Sequence, residues 1–329
     1  MDGICTLAND YVYDQVIALI NSIEAIAGKD FPVCIYPYDD NTEKLEAEVN
    51  RRSNVELYRD RDSMAKWDNF ARDGWDTHPT ARQIWQRAGS DGYHRFGTHR
   101  RYCAFDNPFD RFLYMDADAL LMNSVEFIFK SLDDSDCVVY DFQHKDLTHV
   151  YNVDSPQLSK VFSKERLETE IFCSGFYASK KDLFDEEKRA AIIDNLTKEA
   201  EILYPMAPDQ TLINYMMMRS GCSINNLALS LPKEKTTGCC VTSKHFIEKD
   251  NLLYDRDNRL TYIHYIGLSS RLFARVCSGE NIDFPYRDLF LYYRYLHEPE
   301  NRPQFTTKAK AYNQPPSIAK RLMAKLGLK

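Results

Sequence analysis

An α/β domain with a mainly parallel central sheet flanked by helices is predicted by three features of this 329-residue chain. The chain opens strand-helix-strand. Ile4-Cys5-Thr6-Leu7-Ala8 is a short apolar strand, Val12 to Ile26 carries Val16, Leu19, Ile20 and Ile23 at helical spacing, and Phe31 to Tyr36 is a second strand. Such an opening implies parallel pairing through a right-handed crossover. A long apolar run, Phe112 to Met122, is interrupted by Asp116 and Asp118 and reads as a buried strand ending near Asp116. Nothing between the ends resembles a linker, so residues 1–304 are expected to form one domain, with 305–329 a basic tail.

The remaining elements follow in order. Asn41 to Arg52 is charged and helical, and Val55 to Tyr58 is a third strand. Between 60 and 98, Trp67, Phe70, Trp75, Ile84 and Trp85 suit two short helices packed over the sheet. Gly97 to Phe105 leads as a helix, carrying Arg100 and Arg101, into the aspartate strand. Cys137 to Tyr140 is another strand, and Ile171 to Ala178 is a strand broken by Ser174-Gly175. Asp182 to Ala200 is an amphipathic helix; a further helix opens at Asp209-Gln210 behind Pro208, with Asp209 placed as its N-cap. Tyr262 to Gly267 is a late strand ending in a turn, and the aromatic stretch 284–296 is a helix that closes the core.

Composition excludes several classes. A net charge of −7 argues against a nucleic-acid-binding surface. No apolar run approaches the length of a membrane-crossing helix, and the N-terminus lacks a signal-peptide pattern. The nine cysteines are scattered without a C-x-x-C pair and read as reduced thiols, so a cytoplasmic protein is expected. His78, His94 and His99 lack acidic or cysteine partners at ligand spacing and are expected in surface or hydrogen-bonding roles. The tail holds six basic residues and no acidic ones from Thr306 onward. Ile318, Leu322, Met323 and Leu326 recur there at helical spacing, which suits either a solvated tail or a basic amphipathic helix making weak peripheral membrane contact.

The chemistry centres on Asp116 and Asp118. Two carboxylates beside an apolar strand need a cation or a dense hydrogen-bond network, or else lie solvated in the following loop. The carboxyl end of a strand in an open α/β sheet favours a divalent cation. Around this pair, other polar features fall in a fixed order: Leu7-Ala8-Asn9-Asp10-Tyr11 with Ser22-x-Glu24, then Arg101, Leu113-Tyr114-x-Asp116-x-Asp118, Ser174-Gly175, Asp209-Gln210 and His264-Tyr265-x-Gly267. In that order they resemble glycosyltransferase family 8, which has the Rossmann-like A-type glycosyltransferase fold and is related to glycogenin and the lipopolysaccharide galactosyltransferases. The likeness covers residues 3–270.

The resemblance implies retaining transfer of a hexose from a nucleotide sugar, UDP-linked, to a glycan or lipid-linked acceptor. It implies Mn²⁺ or Mg²⁺ held by Asp116, Asp118 and His264. It places Leu7, Ala8, Asn9, Tyr11, Arg101, Ala117, Ser174, Gly175, Gly267 and Arg271 with the two aspartates against the nucleotide sugar, and Asp209 and Gln210 at the reacting carbon. Three positions depart from the family pattern. Ala8 stands where it has an acidic residue, Cys173 where it often has Asn, and Ser270 where it has Lys, with Arg271 one place later. Two other readings compete. Haloacid-dehalogenase-type phosphatases also set Asp-x-Asp after an apolar strand, but they need Thr or Val where this chain has Leu120. A catalytically inactive carbohydrate-binding relative would not need the paired aspartates, the histidine and Asp209-Gln210 together.

Overall fold

The computed structural model describes residues 1–106 and 108–313. Strands β1 (Asp2–Ala8), β2 (Val33–Pro37), β3 (Val55–Leu57) and β4 (Arg111–Met115) form one half of the central sheet. β5 (Ala119–Leu121) leaves it, and β6 (Cys137–Val139), β7 (Phe176–Lys180) and β8 (Ile224–Asn226) complete it. The seven strands lie in the order β3-β2-β1-β4-β7-β6-β8. β7 alone is antiparallel to its neighbours β4 and β6; the remaining pairs are parallel.

The pleat divides the core. Along β4, Phe112 and Tyr114 pack with Trp67, Trp75, Trp85 and Phe105 beneath the helices Arg61–Asp76 and Pro208–Arg219. Leu113 and Met115 face the opposite layer, with Val16, Leu19 and Ile20 of the helix Tyr13–Ala27. A strand covered on both faces reads as continuously apolar, which is why the sequence showed it plainly. The aromatic helix Arg287–Arg294 packs with Leu120, Ile263, Tyr265 and Phe273 in a third cluster.

Three elements differ from the sequence reading. Thr98–Phe105 is a 3₁₀ helix. Residues 171–175 lie outside β7, because other groups claim their backbone: Asn214 brackets Phe172 N and O at 3.0 and 2.9 Å, and Arg101 takes the Ser174 carbonyl. Asp209 is not an N-cap. The helix begins at Pro208 behind Ala207, which donates no side-chain cap, and the Asp209 carboxylate turns inward to Arg101.

A small sheet of β9 (Ile247–Lys249), β10 (Leu252–Asp255) and β11 (Asn258–Arg259) precedes β12 (Tyr262–His264). β12 pairs antiparallel with β5, setting Ala119 opposite His264. β13 (Ile282–Asp283) pairs with β14 (Lys310–Ala311), so the backbone stays hydrogen-bonded to the domain as far as Tyr312. The amphipathic stretch expected at 317–328 lies outside the described residues. Among the described residues, no helix is long and apolar enough to cross a membrane.

Candidate active site

A cleft of about 620 Å³ opens at the carboxyl end of β4. Asp116 is the first residue past the strand. Its amide donates to Gly175 O at 2.8 Å, and its carbonyl accepts from Ala119 N at 3.0 Å, a turn that throws the chain into β5. The β5–β12 pairing, extended by Tyr265 N donating to Asp118 O at 2.8 Å, sets Asp118 beside His264. His264 Nε2 lies 3.2 Å from Asp118 Oδ1 and 3.8 Å from Asp116 Oδ2. One donor atom from each residue lies within 4.8 Å of the others.

Gly175 makes this convergence possible. A Cβ there would sit 2.6 Å from His264 Cε1 and 2.7 Å from Asp116 Oδ2. Next to it, the Phe176 ring stacks on Tyr262 at 3.8 Å, holding β7 against β12. Donors arranged about one ion at roughly 2.0–2.6 Å can be no more than about 5 Å apart, so the cluster fits a divalent cation. Two carboxylates and one imidazole suit Mn²⁺ or Mg²⁺. Burial pushes the His264 imidazole down, but Asp118 facing it pulls it well above its usual range. Burial also opposes ionisation of Asp118, and His264 brings its carboxyl below the usual value. Asp116 is raised by burial, against Arg101 and with Asp118 adding to the rise.

Arg101 forms the adjoining wall. It is 3% exposed, and its guanidinium is engaged by three hydrogen bonds and two ion pairs. Nε donates to Thr98 O (3.1 Å) and Nη1 to Ser174 O and Oγ (2.8 and 2.9 Å), while Nη2 forms ion pairs with Asp116 Oδ1 and Asp209 Oδ2 at 3.2 and 3.1 Å. The guanidinium lies over the Tyr114 ring, whose hydroxyl donates to Asp116 Oδ1 at 3.0 Å. Burial raises the Asp209 carboxyl, but Arg101 and then Arg95 bring it below its ordinary value. Gln210 is held at both ends: Oε1 accepts from Ser174 N at 3.1 Å and Nε2 donates to His149 O at 3.0 Å. Asp209, Gln210, Ser174, Asp116, Asp118 and His264 therefore share one cleft.

The first turn is placed differently. Leu7 and Ala8 are buried in the sheet, and Ala117 is buried behind the aspartates. The Asn9 side chain caps Tyr11 N at 3.1 Å and donates to Asp39 Oδ2 at 2.8 Å, leaving Tyr11 59% exposed. Gly267, with φ +83°, and Ser270 line the cleft; Arg271 is exposed on the helix Ser270–Cys277 and does not line it. The three histidines make hydrogen bonds. His78 Nδ1 accepts from Thr80 N and Ala81 N at the start of a helix, His99 meets Asp68, and His94 meets Ser90.

Sequence reasoning missed Arg95, His149 and Asp141. Arg95 lines the cleft from a turn and His149 from the end of the one-turn 3₁₀ helix Leu147–His149, both too short to carry periodicity. Asp141, just past β6, is pushed up to about 7 by burial and accepts from Gln143 N and Cys173 N, tethering the segment that leads to Ser174. Two other clefts, of about 500 and 600 Å³, hold charged side chains that pair with one another, such as Arg52 with Glu48 and Arg100 with Asp68.

No family model and no curated protein matches the chain. Among solved structures it is similar to the galactosyltransferase LgtC in complex with donor and acceptor sugar analogues, with a TM-score of 0.50 and 12% identity over 88% of this chain and 100% of that one. The apo structure of the WbbM bifunctional glycosyltransferase gives a TM-score of 0.49 and 14% identity over 92% of this chain. This chain spans about half, 51%, of that structure's length. Mouse xyloside xylosyltransferase 1, apo form, gives 0.46 and 12% over 69% of this chain and 85% of that one. The likeness to LgtC establishes the fold, the Rossmann-like A-type glycosyltransferase architecture.

Proposed function

We propose that the chain transfers a hexose from a UDP-sugar to a hydroxyl of a glycan or lipid-linked acceptor, with a divalent cation and with retention of anomeric configuration. The observation that carries this reading is the convergence of Asp116, Asp118 and His264 beside the Arg101–Asp209–Gln210 wall in one cleft. A cation held by those three residues supplies charge neutralisation for a departing diphosphate, worth several kcal/mol. Arg101 fixes the angle of Asp116 from behind and keeps Asp209 ionised. Asp209 accepts hydrogen bonds from the donor sugar's hydroxyls and orients it. Gln210 carries no charge and is a poor nucleophile, so its amide dipole steadies a sugar that becomes cationic as the bond breaks. The acceptor hydroxyl then attacks from the face the diphosphate leaves, and a diphosphate oxygen takes its proton.

Incubating the protein with a panel of sugar nucleotides, with and without Mn²⁺, tests the reading. Slow, metal-dependent hydrolysis of at least one UDP-sugar, giving the retained anomer by NMR, is expected; no hydrolysis of any donor, or inversion, defeats it. A cytoplasmic location with the tail against an anionic membrane surface belongs to the same proposal. Each tail cation near such a surface contributes about 1 kcal/mol, enough for weak, salt-sensitive contact. Truncation after Asn313 should abolish co-sedimentation with anionic vesicles, and unchanged sedimentation refutes the membrane contact.

A further inference from the structure

A nucleoside-diphosphate donor brings two or three negative charges into a cleft already lined by Asp116, Asp118 and Asp209. Arg101 and one divalent cation together only cancel those three carboxylates. The Arg101 guanidinium is also engaged within the protein, hydrogen-bonded to Thr98 and Ser174 and ion-paired with Asp116 and Asp209. Among the described residues, Arg95 is the one other lysine or arginine lining the cleft. Its side chain is exposed and its guanidinium has no ion-pair or hydrogen-bond partner among the described residues, although its charge reaches Asp209 and helps hold it ionised.

The backbone around Arg95 is tightly placed. Arg95 has φ +51°, a left-handed conformation that is unfavourable for a residue with a Cβ. Its carbonyl accepts from Thr98 N at 3.2 Å and Thr98 Oγ1 at 2.9 Å, and the Thr98 carbonyl in turn receives Arg101 Nε. Gly97, φ +108°, presses on Tyr38, where a Cβ would lie 2.6 Å from the carbonyl oxygen. The Phe96 ring is fixed between Tyr93 and His99 at 5.5 and 4.6 Å, with Arg72 over it at 4.6 Å. Strain of this kind persists only where the surroundings over-determine it, and here it presents an unpaired cation to the cleft.

We propose that Arg95 binds the donor's diphosphate and donates to its oxygens as the glycosidic C–O bond breaks and the electron pair passes to the leaving group. This rests on the glycosyl-transfer reading. Arg95 thereby supplies the positive charge that Arg101, fully paired within the wall, does not.

The test compares the wild type with Arg95→Gly and Arg95→Lys in Mn²⁺. UDP and UMP binding are measured by calorimetry, hydrolysis is measured with UDP-glucose and UDP-glucuronate among the donors, and melting temperature is recorded. Glycine relieves the left-handed backbone, so Arg95→Gly should melt no lower than the wild type. It should bind UDP about 10-fold to 100-fold more weakly, lose less affinity for UMP, and lose more in turnover than in donor binding. Arg95→Lys keeps the charge without the planar fork and should fall between. Unchanged UDP affinity and turnover in Arg95→Gly overturn the proposal. So does a loss confined to UDP-glucuronate, which would assign Arg95 to a sugar carboxylate, and so does damage by Arg271→Ala with none by Arg95→Gly. Wild-type protein that neither binds UDP nor hydrolyses any donor is a different failure: it removes the glycosyl-transfer reading and this inference with it.

Discussion

The wall around Arg101 and the corner around His264 handle charge in opposite ways, and Asp116 belongs to both. Its Oδ1 is anchored by Arg101 Nη2 and the Tyr114 hydroxyl, while its Oδ2 faces His264 Nε2 across 3.8 Å. In the wall, the guanidinium is held by hydrogen bonds to Thr98 and Ser174 and by ion pairs with Asp116 and Asp209, so the geometry is fixed from within. In the corner, two carboxylates crowd one imidazole through space that only glycine at 175 leaves open. A completed network positions; an incomplete one, in a cleft, is where a ligand's charge enters.

Four substitutions or conditions sharpen the contrast. The largest effect is expected in the wall: Arg101→Met leaves Asp209 buried without its cation, and breaking such a pair costs about 3–5 kcal/mol of stability. Chemical denaturation measures it, and near-wild-type stability would show the wall to be dispensable. In the corner, Asp118→Asn should do the reverse, cutting metal-dependent hydrolysis by about 100-fold or more while costing less stability than Arg101→Met, since His264, unlike an arginine, can shed its proton once the facing charge is gone. An equal loss of stability in the two variants would erase the distinction. Gly175→Ala should push His264 and Asp116 apart and weaken metal binding by about 10–100-fold, the range for groups that orient ligands. An unchanged metal titration would mean that the corner relaxes freely.

The smallest effect is one of pH. Without metal, burial opposes a proton on His264, yet Asp118 holds it there to well above the usual imidazole range. Ligation requires that proton to leave, so below the raised value each binding event releases it, and apparent metal affinity climbs with pH until the imidazole is neutral on its own. Affinity flat between pH 6 and 8 (on the order of the range spanning ordinary imidazole titration) would argue that His264 is not a ligand.

How legible these regions were follows from their construction. The corner's aspartates were visible because an apolar strand covered on both faces makes two carboxylates at its end conspicuous. His264 lies 146 residues from Asp118 along the chain; in the sequence only the family resemblance links them, and in the fold the β5–β12 pairing does. Local helix rules make Asp209 a cap, and a long-range ion pair with Arg101 overrides them. The strand expected from 171 stopped at Phe176 because side chains of Asn214 and Arg101 capture backbone groups that a ladder would have used. Arg95 sits in a polar segment without period, and nothing in its neighbours' identities signals a left-handed arginine. Strands β8 to β11, two to four residues long and largely polar, give periodicity too little length to register.

The most direct test of the metal corner is a titration of Mn²⁺ followed by electron paramagnetic resonance, with and without UDP, on the wild type and on Asp116→Asn, Asp118→Asn and His264→Gln. One site per chain is predicted, tightened by UDP and lost or strongly weakened in each of the three variants. Equal Mn²⁺ binding in the wild type and all three variants would contradict a cation held by Asp116, Asp118 and His264.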